Sequence, residues 1–352
     1  MNVKKILSLV ASTIKFLIII ILFISNSKAE ENNIKYYSDD SGILALMYHR
    51  FNENKYPSTN IQMDIFKQQI KIIRKLKYNF YDPKDLEKNF SIKKSEKKIL
   101  ITIDDAFSSF YRIAWPFLKE EKIPFILFVS TEAVGKNGYM TWDQIKELEK
   151  ETTVHIGNHS HAHEYLVDLE NDDFMKDIQI ANETFIKKIG YNPIFFSYPF
   201  GEYSDFIKDH IVNNFSFSFG QHSGVIDVNK DRYELPRFPI NEKYGDLKRF
   251  EFLINLHPLQ YKNLYPNNKF LTKNNPPKFS VEFFNDQKNL NNINCFSDEG
   301  NQWKKSVTNI EKKTLTISFR EKFLFRRGRI NCSLNDNGIW RWFGVQFSIE
   351  QN

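Results

Sequence analysis

Short hydrophobic runs alternate with longer amphipathic segments between residues 42 and 256. The runs are four to six residues long and rich in β-branched and aromatic side chains, which is typical of buried strands. The predicted strands cover residues 43–48, 98–103, 125–130, 154–157, 194–198, 215–219 and 235–240. Strands that alternate with helices along a chain favour a parallel sheet with helical crossovers. The pattern therefore predicts an α/β fold for this part of the chain.

Two segments between these strands carry apolar residues at helical spacing. One stripe runs from Met63 to Ile73, and a second runs from Phe174 to Ile189. Gly190 follows the second stripe directly, as expected at the C-terminal end of a helix. We interpret both stripes as helix faces that pack against the sheet.

The pattern changes after residue 262. Residues 263–278 are rich in Asn, Lys and Pro and show no helical period, so we interpret them as a linker or as the entry to a new domain. Beyond them, short β-type runs separated by turn sequences cover residues 279–284, 314–319, 328–332 and 340–349. These runs predict a small β-rich, antiparallel domain. We therefore divide the chain into residues 1–29, 30–262 and 263–352.

The first 29 residues have the pattern of a secretory signal peptide. Lys4 and Lys5 precede an apolar stretch at residues 16–24, and Ala29 ends a short polar segment suited to cleavage. The alternative is a retained membrane anchor, but a spanning helix needs about 20 apolar residues. We therefore expect an exported protein, periplasmic or extracellular, without a membrane span after cleavage. An uncleaved segment would leave it membrane-anchored.

The charge of the chain gives no sign of a polyanionic partner. The formal net charge is +6, and subtracting the four lysines of residues 1–29 leaves +2. The basic residues are interspersed with acidic ones, so we predict no nucleic-acid partner. The sequence gives no indication of the oligomeric state.

Two cysteines, Cys295 and Cys332, are the only ones in the chain. Export would place them in an oxidising compartment, where disulfides persist. A structural bridge between them is therefore expected, and a reactive thiol is the alternative.

Two adjacent carboxylates, Asp104 and Asp105, follow the predicted strand at residues 98–103. Where a strand opens into a loop, both side chains can reach one cavity, so one could bind a cation while the other moves a proton. The alternative is a structural role at the start of the next helix.

Four histidines lie close together at another strand end: His155, His159, His161 and His163. Neutral imidazole is a common ligand of zinc-like ions, and two histidines with one carboxylate leave positions open for water and substrate. The spacing of His159 and His163 suits one turn of helix, which would place His161 on another face.

The two segments resemble motifs of the polysaccharide deacetylases, which form carbohydrate esterase family four and share the NodB-homology domain. Residues 102–106 resemble the family's Thr-Phe-Asp-Asp-Gly motif, and residues 159–163 match its His-Ser/Thr-x-x-His motif. The resemblance implies that Asp104 is the catalytic base. It also implies that Asp105, His159 and His163 hold a divalent cation: zinc, with cobalt or nickel as alternatives.

A weaker match, residues 196–201, resembles the third motif, Arg-x-Pro-Tyr-Gly. The resemblance places Tyr198, Phe200 and Arg237 among the substrate-binding residues and gives the backbone amide of Phe200 a role in holding the oxyanion. Ser197 stands where the motif has an arginine that steadies the catalytic aspartate. Arg237 could supply that charge from a neighbouring strand, or it could be a structural or surface residue.

The family's last motif carries a histidine that protonates the leaving amine, and no convincing equivalent is present. His222 and His257 are the candidates, and an exposed loop position is the alternative for each.

The resemblance covers residues 43–240 and implies a distorted, incomplete (β/α) barrel, followed by the small C-terminal β domain. It implies metal-dependent hydrolysis of acetyl groups, most often N-acetyl, on a polysaccharide or envelope glycan. The alternative is a catalytically impaired glycan-binding protein that retains the deacetylase fold.

Overall fold

The computed structural model describes residues 41–91 and 98–351. The predicted signal peptide, residues 1–29, lies outside the described residues. No helix within the described ranges is long and apolar enough to cross a bilayer.

The first part of the chain forms an eight-stranded sheet. Seven of its strands follow the order β10–β1–β5–β6–β7–β8–β9, every pairing is parallel, and β4 also pairs with β5. A separate pair, β2 and β3, lies outside this sheet. The strands are β1 (Ile43–Tyr48), β2 (Arg50–Phe51), β3 (Asn60–Ile61), β4 (Asn79–Phe80), β5 (Lys98–Ile103), β6 (Phe125–Val129), β7 (Val154–Asn158), β8 (Phe195–Ser197), β9 (Phe217–Phe219) and β10 (Phe238–Pro239).

The sheet curves towards closure but stops short of it. No ladder joins β9 to β10 in the described ranges, where an isolated bridge links Phe219 to Leu235. Arg237 reaches across the same gap, and its Nε donates to the Gly220 carbonyl at 3.0 Å. The fold is therefore an incomplete (β/α) barrel, as the sequence predicted.

Helices connect the strands, and the two predicted amphipathic helices are confirmed. Helix α1 buries Met63 and Ile73 on one face, and α5 ends at Gly190, whose φ of 89° suits a residue without a side chain. The helices are α1 (Met63–Lys75), α2 (Leu86–Ser91), α3 (Trp115–Glu120), α4 (Trp142–Glu149), α5 (Asn171–Ile189), α6 (Asp205–Asn214) and α7 (Leu247–Leu253). A π-helical turn, Phe110–Ala114, leads into α3, and short 3-10 turns occupy Pro83–Asp85, Leu166–Asp168, Pro199–Gly201, Leu290–Asn292 and Glu299–Asn301.

The period-two alternation of the strands divides the barrel into two apolar layers. In β1, Leu44 and Leu46 pack with the helices, whereas Ile43 and Ala45 belong to the cluster inside the barrel. In β5, Leu100 faces the barrel interior. Because side chains alternate along a strand, Thr102 and Asp104 face the interior as well. The register of β5 therefore directs Asp104 into the barrel interior.

The C-terminal part forms two further sheets. One has the order β11–β20–β19–β15–β16 with β13 beside β20, and the other has the order β12–β14–β18–β17. The strands are β11 (His257–Pro258), β12 (Asn263–Tyr265), β13 (Phe270–Leu271), β14 (Phe279–Glu282), β15 (Asn294–Ser297), β16 (Lys304–Lys305), β17 (Val307–Glu311), β18 (Thr314–Ser318), β19 (Arg327–Asp336) and β20 (Ile339–Ile349).

Several details differ from the predicted antiparallel domain. Residues 263–278 contain β12 and β13, so this segment is not simply a linker, and β11 and β13 pair with β20 in parallel. Strand β11 precedes the predicted boundary at residue 262 yet joins the C-terminal sheet, and the described residues all belong to one compact unit. The predicted disulfide is confirmed, because Cys295 and Cys332 are bonded across β15 and β19.

Candidate metal centre

The proposed metal ligands follow two strands that flank β6. Asp104 and Asp105 come directly after β5, and His159 comes directly after β7. The carboxyl ends of parallel strands meet at one edge of the sheet, where loops build the site. Asp105 has a φ of 73°, so the chain turns sharply here and Asp105 need not share the direction of Asp104.

Three side chains converge at this edge: Asp105, His159 and His163. Asp105 Oδ1 lies 3.5 Å from His159 Nε2 and 3.3 Å from His163 Nε2. Each of the three residues offers one potential ligand atom, and these three atoms lie within 4.8 Å of one another. The structure thus brings together the three residues that the sequence predicted as ligands, in an arrangement that could hold a metal ion.

The loop that carries the histidines is held by hydrogen bonds from its own backbone. The amides of His161 and Ala162 both donate to the carboxylate of Asp177 on α5, each at 2.9 Å. The amide of His163 donates to Ser160 Oγ at 3.0 Å. His163 has a φ of 55°, so the expected turn of helix between His159 and His163 is wrong. The Asp177 carboxylate satisfies the amides that a helical turn would otherwise use.

His161 points away from the ligand cluster, as predicted. Its Nδ1 lies 2.8 Å from Thr131 Oγ1, and it is not part of the group of ligand atoms. A local hydrogen bond therefore accounts for this histidine.

The tautomer of His159 is set by its backbone partner. Its Nδ1 lies 2.7 Å from the Ser197 carbonyl, which can only accept, so Nδ1 carries the hydrogen and Nε2 is left to bind a cation. Burial lowers the pKa of His159 to about 4, so its imidazole is neutral near pH 7. The residue is therefore in the form that a metal ligand requires.

The side chains of the other two ligands, Asp105 and His163, pair with each other. Burial opposes ionisation of Asp105, but its hydrogen bond to His163 prevails and holds the pKa of the carboxyl well below its usual range. Burial would also lower the pKa of His163, yet the Asp105 carboxylate raises it above its ordinary value. A cation that binds here competes with the proton that His163 would otherwise hold.

Asp104 is fully buried beside this cluster and pairs with Arg237. Arg237 NH1 donates to Asp104 Oδ1 at 2.6 Å, and NH2 donates to Oδ2 at 2.9 Å. Burial alone would raise the pKa of Asp104, but the Arg237 charge outweighs it and keeps that pKa below its ordinary value. NH2 also donates to Ser197 Oγ at 2.8 Å. Ser197, which stands where the motif has an arginine, thus accepts a hydrogen bond from Arg237. Arg237 places beside Asp104 the positive charge that the sequence analysis suggested it could supply.

Two of the three predicted substrate-binding side chains lie in the core. Arg237 and Tyr198 are both fully buried, so neither side chain offers a surface to a polymer. Tyr198 packs among aromatic residues, and its hydroxyl donates to the Tyr233 carbonyl at 3.2 Å. Phe200 is half-buried, and its ring lies 4.7 Å from that of His163. Of the three, only Phe200 has a side chain that is both partly exposed and beside the ligand cluster.

Neither candidate for the proton-donating histidine joins the ligand cluster. His222 lines a separate cavity of about 430 Å³, and His257 lies on β11 beside β20. Another histidine, His49, lies near the two aspartates, and a positive charge on it would lower the pKa of both Asp104 and Asp105. Tyr139 also lies near the site, and the sequence analysis did not single it out. Burial and then the Asp105 charge raise its pKa. Its sequence context carries no motif that could have revealed it.

Comparisons with known proteins point to the same family as the sequence motifs. The family model described as polysaccharide deacetylase matches residues 91–214. A poly-beta-1,6-N-acetyl-D-glucosamine N-deacetylase of Staphylococcus epidermidis is 22% identical over 245 residues, which are 61% of this chain and 85% of that protein. These matches support the polysaccharide deacetylase family that the sequence motifs indicated. Another relative, YxkH of Bacillus subtilis, is 26% identical over 162 residues, and the match spans only 57% of its length.

Two solved structures share the fold. IcaB from Ammonifex degensii superposes with a TM-score of 0.54 at 26% identity, over 61% of this chain and 98% of that one. The Streptococcus pyogenes deacetylase PplD, in complex with acetate, gives a TM-score of 0.55 at 22% identity, over 60% of this chain and 98% of that one. About two fifths of this chain therefore has no counterpart in either structure.

Proposed function

We propose that this chain is a polysaccharide deacetylase, a metal-dependent hydrolase that removes N-acetyl groups from an N-acetylglucosamine polymer. The observation that carries the proposal is a buried carboxylate, Asp104, beside the cluster of Asp105, His159 and His163. Asp104 Oδ2 lies 3.9 Å from His159 Nε2 and is not needed as a ligand. Several relatives are named for poly-beta-1,6-N-acetyl-D-glucosamine, which supports this substrate class.

The donor set fits a divalent cation of the zinc type. It offers two imidazoles and one carboxylate, and His159 presents a neutral nitrogen with the correct tautomer. Zinc is the proposed ion, with cobalt and nickel as alternatives that accept the same ligands. When bound, the ion would act as a Lewis acid and lower the pKa of water.

The chain's own residues would supply the remaining chemistry. Asp104 would accept the proton of the attacking water, and Arg237 keeps that carboxylate ionised at neutral pH. The backbone amide of Phe200 would donate to the oxyanion that forms on the acetamide carbonyl. The products would be acetate and a free amine on the sugar.

The alternative function is glycan binding without catalysis. The observation in its favour is that neither His222 nor His257 is among the residues that converge with Asp105. The Asp104–Arg237 pair argues against it, because a binding protein has no need to keep a buried carboxylate ionised beside a metal site. We retain hydrolysis as the main proposal.

We also propose that the protein acts outside the cytoplasm. The proposal rests on the signal-peptide pattern of residues 1–29 and on the disulfide between Cys295 and Cys332. The N-terminal sequence of protein recovered after export would test it, and a start near residue 30 is expected.

The function is tested by acetate release from defined oligosaccharides. Zinc-loaded protein lacking residues 1–29 should release acetate and create free amines on oligomers of β-1,6-linked N-acetylglucosamine. O-acetylated xylan oligomers serve as the comparison for ester cleavage. Binding of the oligomers without acetate release from either substrate would contradict hydrolysis and favour the glycan-binding alternative.

A further inference from the structure

Strand β20 of the C-terminal sheet lies against the loop that follows β8 in the barrel. Gln346 is buried on β20, and its Nε2 donates to the carbonyls of both Phe200 and Gly201, each at 3.0 Å. One side-chain nitrogen thus uses both of its hydrogens on two consecutive peptide groups. The loop whose amide is proposed to hold the oxyanion is therefore tied to the C-terminal sheet.

The contact between β20 and the barrel is too close for a side chain at Gly344. A Cβ at this position would lie 2.2 Å from the Ser223 carbonyl oxygen. Gly344 is two residues from Gln346 on the same strand, so this close approach fixes how far Gln346 can reach. The strand is held against the barrel rather than resting loosely on it.

A second contact comes from Arg326, just before β19. Its guanidinium lies 3.7 Å from the centre of the Tyr165 ring and donates to Asp168 at 2.8 Å and to Glu202 at 3.3 Å. Tyr165 in turn stacks on Phe200, with ring centres 4.0 Å apart. A continuous stack therefore runs from Arg326 through Tyr165 to Phe200.

The held loop has a backbone that needs support. Phe200 has a φ of 58°, a conformation that residues with a side chain adopt at an energetic cost. Gln346 fixes the carbonyl of this residue from one side, and Tyr165 covers its ring from the other. The ring of Phe200 also meets that of His163 at 4.7 Å, so a shift of this loop would reach a proposed metal ligand.

We propose that Gln346 and Arg326 are positioning residues, which hold the Phe200 loop in the conformation that hydrolysis requires. This proposal rests on the proposed function and extends it, because it makes the C-terminal sheet a working part of the site. Both residues lie outside residues 91–214, the segment that matches the family model. The proposed site thus includes two side chains from outside the matched segment.

The first test replaces Gln346 with leucine, which keeps the approximate volume and removes both hydrogen bonds. We expect kcat to fall about tenfold with KM changed less than twofold, because the loop shifts but substrate contacts elsewhere remain. This fall is smaller than the 10²–10³ typical of losing an oxyanion donor outright. Gln351→Leu is the control, since the Gln351 side chain donates within its own segment, to the Ile349 carbonyl. It should leave kcat unchanged.

The second test replaces Arg326 with glutamine. Arg329→Gln is the control, because Arg329 also pairs with an aspartate, Asp298, and lies over an aromatic ring, that of Trp303, within the same sheet. Arg326→Gln should lower kcat severalfold, and Arg326→Lys should restore part of it through the retained charge. The control should have wild-type kinetics.

A readout independent of activity accompanies both tests. Amide hydrogen exchange of the segment 198–203 in zinc-loaded protein should quicken at least fivefold in Gln346→Leu, while zinc content stays at the wild-type value. Wild-type exchange there together with wild-type kcat would overturn the positioning role. If the unmutated protein releases no acetate, the proposed function fails, and the exchange measurement alone then decides whether Gln346 holds the loop.

Discussion

The buried pair of Arg237 and Asp104 yields the strongest stability prediction. Both side chains have zero exposure, and Arg237 also donates to Thr102 Oγ1 at 3.1 Å, to Ser197 and to the Gly220 carbonyl. Removing the arginine leaves a fully buried carboxylate without its guanidinium partner. Breaking a buried pair from one side costs about 3–5 kcal/mol. Arg237→Met should therefore lower the free energy of unfolding by that amount at pH 7.

A double variant separates the charge from the packing. Asp104→Asn removes the uncompensated charge but keeps an amide that can form hydrogen bonds, so Arg237→Met/Asp104→Asn should recover about 1–3 kcal/mol relative to Arg237→Met. Urea unfolding of the metal-free protein gives both values. Arg74→Met is the control, because its pair with Glu121 is partly exposed on both sides and should cost less than about 1 kcal/mol.

The reasoning fails if Arg237→Met is no worse than this control. It also fails if the double variant is less stable than Arg237→Met, because the lost hydrogen bonds rather than the uncompensated charge would then set the cost.

Three further predictions concern the disulfide, a buried histidine and the choice of ligands. Cys332→Ser should lower the free energy of unfolding by about 4 kcal/mol in urea titrations, because the bridge to Cys295 closes a loop with a sequence separation of 37. Burial lowers the pKa of His222 to about 4. The unfolded chain therefore binds this proton first, and stability should fall by up to about 3 kcal/mol between pH 6.5 and 4. His222→Gln should flatten that slope of the urea midpoint. His163→Ala should lose the bound metal in elemental analysis, whereas His161→Ala should keep it.

The metal cluster was predictable because its ligands lie in two contiguous motifs. Asp105 sits directly after one strand, and His159 and His163 lie within five residues after another. Parallel strands bring such ends to one edge whatever the details of the barrel. The local shape of the histidine loop was not predictable, since it depends on Asp177 of a later helix.

Residues far apart in the sequence gave weaker signals. Arg237 reaches Asp104 across 133 positions, and only closure of the barrel makes that contact possible. Gln346 is 146 positions from Phe200, and one glutamine in a strand carries no pattern. Tyr198 was predicted to bind substrate, but its side chain is buried among aromatic residues of the core.

The central claim is that two adjacent carboxylates do different work, and one paired measurement tests it. Zinc content and acetate release are measured side by side for Asp104→Asn and Asp105→Asn. Asp104→Asn should keep about one zinc ion per chain and lose 10²–10⁴ in rate, the usual worth of general base catalysis. Asp105→Asn should lose the zinc together with the activity. Loss of zinc from Asp104→Asn, or acetate release from it at the wild-type rate, would contradict the account.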